Sequence, residues 1–584
     1  MACGFCVYFP LNGKLPLVHN PMLGDIQGLG KSRFGQPLSR RTGTMMPSSS
    51  PTRRGFLFSG AAVAFLEPSK SELSGQSPNT FPVEEKDLAT LAEDLGSGKV
   101  TSRQLVQAYL ERVEAIDRRG PALNSVIEIN PDAISIAEQL DVERKKKGPR
   151  GPLHGLPILI KDNIDTADKM RTTAGSLALV DSRPIRDAWL VDRLRKAGAL
   201  ILGKTNLSEW ANARGSRSTS GWSGRGGLTK NPYALDRNPS GSSSGSAVAV
   251  AASLCAGAVG TETDGSILSP AAHNGVVGLK PTVGMISRSG IIPIAHTQDT
   301  AGPMTRSVRD AALLLGGMAG IDPAEKAELL AQRPPDLQVD YTARMKPGVL
   351  KGVRLGVAKS YLNFHDQVDP ILAKSFEVLR EQGAVLVEIN DLPKGRSWSG
   401  AEVTVLQYEM KAGLEAYLAS LGPGAPVKTV EDILAFNRKN ADRELSHFGQ
   451  DFLEKVASKG GLDSEEYKKA LAQCRRVARE NGIDRAMDKF ALDAIVGPCS
   501  GPAGLTNLAK GDSSSGGYDL ISLAAVAGYP SISVPAGNIQ GLPIAIMFVG
   551  KAWGEVNLLG IAYGFEQATK ARRAPRYLNT TPVG

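Results

Sequence analysis

Two serines and one lysine lie in segments whose composition suits covalent chemistry. Ser242 and Ser266 each lie in a glycine-rich turn, GSSSGS and TETDGS, and small residues fill most of the segment between the turns. Lys161 follows the apolar run LPILI. A serine hydroxyl attacks a carbonyl only when a neighbouring group removes its proton, and a buried lysine loses its proton near neutral pH. This combination predicts a serine nucleophile whose general base is a lysine rather than a histidine.

The turn that contains Ser266 also offers a place for negative charge. Thr263, Asp264, Gly265 and Ser266 can present successive main-chain N–H groups to one concavity. Such a concavity stabilises the oxyanion of a tetrahedral intermediate. Gly-Ser turns are more often flexible connectors, and a lysine after a strand is more often solvated at its tip. The apolar segment between the two turns argues against a flexible connector.

Short apolar runs and amphipathic segments predict the elements that position these residues. Buried strands are expected at eight runs: 156–160, 199–202, 276–281, 353–358, 384–389, 493–498, 531–537 and 543–550. Helices are expected at 187–197, 245–256, 368–382 and 464–489, and after a capping-box pattern at Thr101 and Gln104. Strands that alternate with helices, without repeats, predict an α/β fold. Residues 390–463 are expected to be mostly helical, and we attach no chemistry to them.

Six blocks of the sequence, in order, resemble the amidase signature family. They are HGLPILIKDNID, LGKTNLSEWA, GSSSGSAVAVAA, GTETDGSI, VVGLKPTVGMISRSGIIPIAHTQDTAGP and AGYPSISVPAG. The resemblance extends from about residue 85 to 580 and is densest at 154–310. It implies one large α/β domain over residues 81–580, with a mixed β-sheet of about eleven strands and helices on both faces. The variants TETDGSI and GWSGRGG are similar to peptide-amidase-like and plant-type members.

The resemblance also implies a Ser-Ser-Lys triad. Ser266 is the expected nucleophile, Lys161 the base, and Ser242 the serine that bridges them after a cis peptide bond. The N–H groups of Thr263, Asp264, Gly265 and Ser266 are the expected oxyanion hole. The implied reaction is hydrolysis of a carboxylic amide through an acyl-enzyme, with release of ammonia or an amine and with no metal or organic cofactor.

Two departures from the family pattern bear on the substrate. The usual GGSSGGS is GSSSGS here, with Ser244 in place of a glycine, and the bridging serine is retained. Many members carry Ile-Arg after the nucleophile, where this chain has Ile267 and Leu268. An arginine suits a substrate carboxylate. Leu268 in the substrate pocket therefore favours a neutral acyl amide or a C-terminal peptide amide.

Other functions fit the sequence less well. Residues 198–205 match a phosphate-binding loop letter for letter, but the intervening ALIL predicts a strand, whereas that loop is an irregular turn. His273 is not part of a G-x-S-x-G elbow, and His154, His273 and His296 are expected to be core or loop contacts. Two alternatives stay open: the catalytic component of a glutaminyl-tRNA amidotransferase, and an exported, non-catalytic binding protein that retains the fold.

The positive charge is concentrated at the start of the chain. The net charge is +9, and residues 1–56 contain seven Lys or Arg residues and one acid, Asp25. The rest of the chain carries only three net positive charges, which argues against binding of nucleic acid. Five cysteines in so long a chain form no disulfide framework, and one CxxC at Cys3 and Cys6 is weak support for a metal.

Arg53 and Arg54 precede a short apolar stretch, which is typical of a twin-arginine signal peptide. The stretch is too short to span a bilayer, so we expect an exported, periplasmic protein without stable membrane insertion. On this interpretation Met45 or Met46 is the true start, residues 1–44 are a mis-called, unstructured extension, and 45–80 are signal and polar linker. A disordered basic tail on a cytoplasmic protein is the alternative. The oligomeric state stays open.

Overall fold

A mixed sheet of eleven strands runs through the computed structural model, which describes residues 81–325, 332–335, 337, 340–513 and 515–582. Its order is β1-β3-β2-β6-β8-β7-β12-β13-β11-β9-β10, while β4 and β5 pair separately. The strand bounds are β1 Val126–Ile129, β2 Pro157–Lys161, β3 Leu200–Thr205, β4 Trp222–Ser223, β5 Gly227–Leu228, β6 Gly257–Glu262, β7 Val277–Lys280, β8 Thr300–Thr305, β9 Arg354–Ala358, β10 Val385–Ile389, β11 Ala494–Pro498, β12 Ser531–Ile539 and β13 Leu542–Val549. The predicted fold class is confirmed.

Helices flank this sheet. The α-helices of the described residues are α1 Leu88–Gly96, α2 Ser102–Arg112, α3 Ala133–Lys147, α4 Trp189–Lys196, α5 Ser244–Ala251, α6 Leu268–His273, α7 Val308–Met318, α8 Asp369–Glu381, α9 Ser399–Ser420, α10 Val430–Lys439, α11 Ala441–Glu444, α12 Asp451–Ala457, α13 Glu465–Arg475, α14 Asp484–Phe490, α15 Asp519–Ala527 and α16 Glu555–Thr569. The helical character expected for 390–463 is confirmed by α9 to α12.

Three parallel strands bring the lysine to the serines. β2 lies between β3 and β6, and Ile160 is in register with Val259. All five residues of β2 are buried, as expected of a parallel strand that is covered on both faces. Because parallel strands end at the same edge of a sheet, Lys161 at the end of β2 meets Thr261 near the end of β6.

The predicted capping box at the start of α2 is present. The Gln104 N–H donates to the Thr101 hydroxyl over 3.1 Å, and the Gln104 side chain accepts from the Thr101 N–H over 2.9 Å. These bonds satisfy two N–H groups that the first turn of a helix leaves without partners. The helix then packs Leu105 and Tyr109, both fully buried, into the main core.

The helix predicted over 464–489 is present as a continuous helical run, but it is not one regular α-helix. The structure has α13, then a π-helical segment at 476–483, then α14. Gly482 has φ −107° and ψ −107°, well outside helical geometry. Glycine adopts such backbone angles without steric cost, and π-bulges often interrupt long helices at such points.

The expectations for residues 1–44 and 45–80, including Cys3, Cys6, Arg53 and Arg54, lie outside the described residues. Of the helices that the structure describes, none has the length and apolar character needed to cross a bilayer. The cysteines at 255, 474 and 499 are buried and unbridged.

Candidate active site

Lys161 lies in contact with the first predicted serine. Its Nζ is 2.7 Å from the Ser242 Oγ and also donates to the Thr261 Oγ1 and carbonyl oxygen, at 2.9 and 3.2 Å. The residue is wholly buried. Burial lowers the pKa of Lys161 from 10.5 to about 7, against the opposing charges of Asp299 and Glu262. A large share of these amines is therefore neutral at physiological pH.

The turn that carries Ser242 is tightly enclosed. The peptide bond between Gly241 and Ser242 is cis, as the resemblance implied. The carbonyl of Ser242 accepts a hydrogen bond from the N–H of Ser208 over 3.1 Å. A Cβ at Gly241 would lie 2.2 Å from the Ser208 Oγ, so only glycine fits there. The close approach fixes the place of the Ser242 hydroxyl beside Lys161.

Ser243 joins the two serine turns. Its N–H donates to the carbonyl of Ser266 over 3.1 Å, and its hydroxyl donates to the Thr261 carbonyl over 3.0 Å. The Thr261 N–H lies 3.2 Å from the same hydroxyl oxygen. Ser242 and Ser266 therefore sit on segments that are hydrogen-bonded to each other and to the strand end that contacts Lys161.

The turn before Ser266 has open main-chain donors. Gly265 has φ +77°, a conformation that favours glycine, and this turns the chain back on itself. The buried carboxylate of Glu262 accepts from the N–H groups of Ile267 and Leu268, at 2.7 and 3.0 Å. Within the described part of the chain, the N–H groups of Asp264 and Ser266 meet no hydrogen-bond acceptor. The arrangement offers donors to an anion beside the Ser266 hydroxyl.

Sequence reasoning missed several residues around this site. Asn163 donates to the Thr261 Oγ1 over 3.0 Å, and its position within the Lys161 block was an available signal. Gln298 donates to the carbonyl of Thr263 over 3.2 Å. Glu402, on α9, contacts Asp264 and accepts from Gln298 over 3.0 Å. No local pattern distinguishes Glu402 from the other acids in its helix.

A cavity of about 200 Å³ lies next to these groups. Asn163, Thr261 and Thr263 line one side, and isoleucines at 291, 292 and 294 form an apolar wall. Leu268, the expected pocket residue, does not line this cavity; its side chain is fully buried in an apolar cluster with Leu520. The inference from Leu268 to substrate charge stays a prediction.

The lysine of the apparent phosphate-binding loop has a structural role. Gly203 to Thr205 belong to β3, and Lys204 is buried, with its Nζ bonded to the Ile164 carbonyl and the Thr172 hydroxyl. Among the residues placed by the structure, no group of His, Cys, Asp or Glu is arranged to hold a metal ion.

The histidines also lie where core or loop contacts were expected. His154 is buried against the Leu140 carbonyl, and His296 faces Glu409. His273 is buried at the end of α6, and burial lowers its pKa to about 4.

In place of the usual glycine, Ser244 donates to the Ser240 carbonyl at the start of α5.

Comparison with known proteins places these features. The family model described as Amidase matches residues 104–559. The chain belongs to the amidase family. The solved peptide amidase of Stenotrophomonas maltophilia has a TM-score of 0.81 and 50% identity, with 85% of this chain and 99% of that chain covered. A probable amidase of Arabidopsis thaliana is 41% identical over 509 residues, 86% of this chain and 93% of its own length.

A third relative has a different role. It is one component of the glutamyl-tRNA(Gln) amidotransferase of Caldanaerobacter subterraneus, and it is 33% identical over 497 residues, which is 83% of this chain and 97% of that protein. The family and the peptide amidase likeness identify this chain as an amidase, a hydrolase that acts on amides.

Proposed function

We propose that this amidase hydrolyses neutral acyl amides or C-terminal peptide amides through a Ser-Ser-Lys triad. The observation that carries the proposal is the buried Lys161 Nζ, 2.7 Å from the Ser242 Oγ. An uncharged amine in that place accepts a proton from the hydroxyl, and a dry surrounding keeps the amine uncharged. The Ser243 N–H donates to the carbonyl of Ser266, and Ser266 is the third residue of the proposed triad.

The reaction proceeds in two halves. Lys161 draws a proton through Ser242 from the Ser266 hydroxyl as its oxygen attacks the amide carbonyl. The main-chain N–H groups of Thr263 to Ser266 stabilise the oxyanion. Ser242 then returns the proton to the leaving nitrogen, and ammonia or an amine departs. Water hydrolyses the acyl-enzyme by the same relay.

The 50% identity and nearly complete coverage of the solved peptide amidase support an amide of a peptide or a similar acyl chain. Leu268 is buried outside the adjoining cavity, so the preference for a neutral acyl group that its replacement of an arginine predicts is an expectation from the sequence and not from a pocket contact. The cavity is lined by three isoleucines and also by Arg288, whose guanidinium is paired with Glu325 over 3.0 Å. The isoleucines favour an uncharged acyl group, and an arginine that is already paired with a glutamate is a weaker partner for a substrate carboxylate.

The test compares amides by ammonia release. We expect peptide amides and neutral acyl amides to be hydrolysed faster than matched amides whose acyl group carries a free carboxylate. Ser266→Ala should abolish both turnover and labelling by an activated ester, because the variant lacks the hydroxyl to which the acyl group would be attached. Ser246→Ala, which removes a buried hydroxyl bonded to Thr205, is the matched control and should keep activity. Faster turnover of the carboxylates would refute the substrate assignment.

The likeness to the amidotransferase component supports a second candidate, release of ammonia from glutamine for a partner protein. The same panel separates the two functions. A glutaminase rate that appears only when the other amidotransferase components are added, with no turnover of peptide amides, would favour the second.

A further inference from the structure

Two carboxyl side chains meet directly behind the turn that precedes Ser266. Asp264 belongs to the turn, whereas Glu402 comes from α9, and both are buried. Ser522, on α15, donates to the Asp264 Oδ1 over 3.0 Å. Gln298 donates to Glu402 over 3.0 Å and to the Thr263 carbonyl over 3.2 Å. One network therefore ties the turn to three other segments of the fold.

The contact between Asp264 and Glu402 requires a proton. The Asp264 Oδ2 is buried and meets no N–H or hydroxyl donor in the described residues. Gln298, which donates to both Glu402 and the Thr263 carbonyl, holds the Glu402 carboxyl beside this turn, where a proton on Glu402 supplies the donor that Asp264 lacks. Two ionised carboxylates in contact inside a dry site would repel strongly.

The surroundings favour one charge on the pair rather than two. Burial raises the pKa of Asp264, and burial followed by the charge of Asp264 raises the pKa of Glu402 well above its usual value. Among the charged neighbours, Glu262 opposes a negative charge on Asp264, and Lys280 favours it. On α13, the Cys474 thiol, whose pKa is also raised, lies near Glu402.

We infer that Asp264 and Glu402 share one proton and act together as positioning residues that hold the oxyanion-binding turn beside Ser266. The inference rests on the proposed Ser-Ser-Lys function. When the pH rises far enough to remove the shared proton, the two carboxylates separate and the N–H groups of the turn move out of place. The pair therefore sets an alkaline limit to activity, whereas protonation of Lys161 sets the acidic limit.

The test is the pH profile of kcat for three variants. Glu402→Gln keeps a donor for Asp264 and an acceptor for Gln298 but has no proton to lose, so activity at neutral pH should persist and the alkaline decline should disappear. Asp264→Asn should also lack the alkaline decline, whatever its rate at neutral pH, because its amide donates to an ionised Glu402. Glu402→Ala should lower kcat about 100-fold at neutral pH, with KM little changed, as loss of an oxyanion donor does.

Glu409→Gln provides the matched control. This buried carboxyl lies on the same helix but contacts Thr297 and Tyr467 rather than the turn. The alkaline decline of kcat in the Glu409→Gln enzyme should therefore match that of the wild type. An alkaline decline that survives in both amide variants, or one that vanishes in Glu409→Gln, would overturn the inference. Labelling of Ser266 and the acidic limb are read in the same samples, so failure of the triad itself would be seen separately.

Discussion

At the scale of single residues, the site depends on where charge is excluded. Among the described residues, no carboxylate contacts Lys161 directly; its Nζ meets two hydroxyls and a carbonyl. An adjacent carboxylate would stabilise the ammonium and make it a poor base. Hydroxyl partners hold the amine in place without that penalty, so the fold keeps a lysine ready to accept a proton.

This environment predicts an acidic limb in the pH profile. The pKa of Lys161 is lowered to about 7, so the amine takes up a proton as the pH falls through that value and can no longer accept one from Ser242. We expect kcat/KM to fall about tenfold per pH unit below the pKa. Lys161→Ala should lose about 100-fold or more of the activity at neutral pH while remaining folded.

Initial rates from pH 5 to 9, with circular dichroism at each pH, measure this effect. Lys196→Ala, which removes a surface lysine paired with Asp192, should keep the wild-type profile. A wild-type profile that is flat through pH 7, or a Lys161→Ala enzyme with full activity, would show that another group is the base.

At the scale of elements, the sequence predicted the site residues that lie in local patterns and missed those that only tertiary packing brings to the site. The strand before Lys161 and the two serine turns are local patterns, and parallel pairing of β2 with β6 makes them meet. Glu402 reaches Asp264 from a helix to which the sequence assigned no chemistry. Only tertiary packing selects that glutamate. The π-helical interruption at 476–483 was missed because one glycine is weak evidence against a charged helical run.

A buried ion cluster joins the helical layer to the active-site loops. Arg214 is fully buried, pairs with Glu209 over 2.7 Å and lies 3.7 Å from Glu444. Its guanidinium also lies over the rings of Phe448 and Trp222, at 3.9 and 4.9 Å from their centroids. Since Glu209 lies close after β3 and Glu444 ends α11, the cluster connects α10 to α12 with the segment that leads to the Ser242 turn.

Arg214→Ala should loosen that connection. Removal of the cation leaves two buried carboxyls without their counter-charge, and we expect a loss of about 3–5 kcal/mol of stability. The thermal unfolding midpoint should drop, and hydrogen exchange should rise within 430–457. Arg438→Ala, which breaks a surface pair with Glu454, is the control and should change the midpoint little. Equal effects of the two substitutions would mean that the cluster has no special role.

At the scale of the whole molecule, most of the net positive charge lies in residues 1–56, before the catalytic fold. The paired arginines at 53 and 54 precede the described residues, and the export they predict is independent of the amidase reaction. Replacement of both by lysine should retain the protein in the cytoplasm of a host that has a twin-arginine pathway. Cell fractionation measures the location of the protein. Positions 53 and 54 lie outside the triad, so the activity of the doubly substituted protein should be unchanged. Unaltered secretion would contradict a twin-arginine route.

The limits of the folded unit give the last prediction. The family match starts at residue 104, but α1 precedes it and buries Leu88, Leu91 and Leu95 in the main core. Each buried leucine stabilises the fold by about 2 kcal/mol, and a typical domain has only about 5–15 kcal/mol in total. A chain shortened to 81–584 should therefore keep its kcat and its unfolding midpoint, whereas one shortened to 98–584 should be poorly soluble or unfold at a much lower temperature.

Two further variants distinguish the loss of core packing from the loss of chain length in this comparison. The chain that starts at 81 but carries Leu91→Ala should lie between the two shortened forms in stability, because it keeps α1 and loses one core side chain. The side chain of Asp87 caps α1 by accepting from the Thr90 N–H, so Asp87→Ala should lower the free energy of unfolding by about 1 kcal/mol. If the 98–584 chain were as stable as the 81–584 chain, α1 would contribute nothing to the core, and the amidase unit would begin where the family match begins.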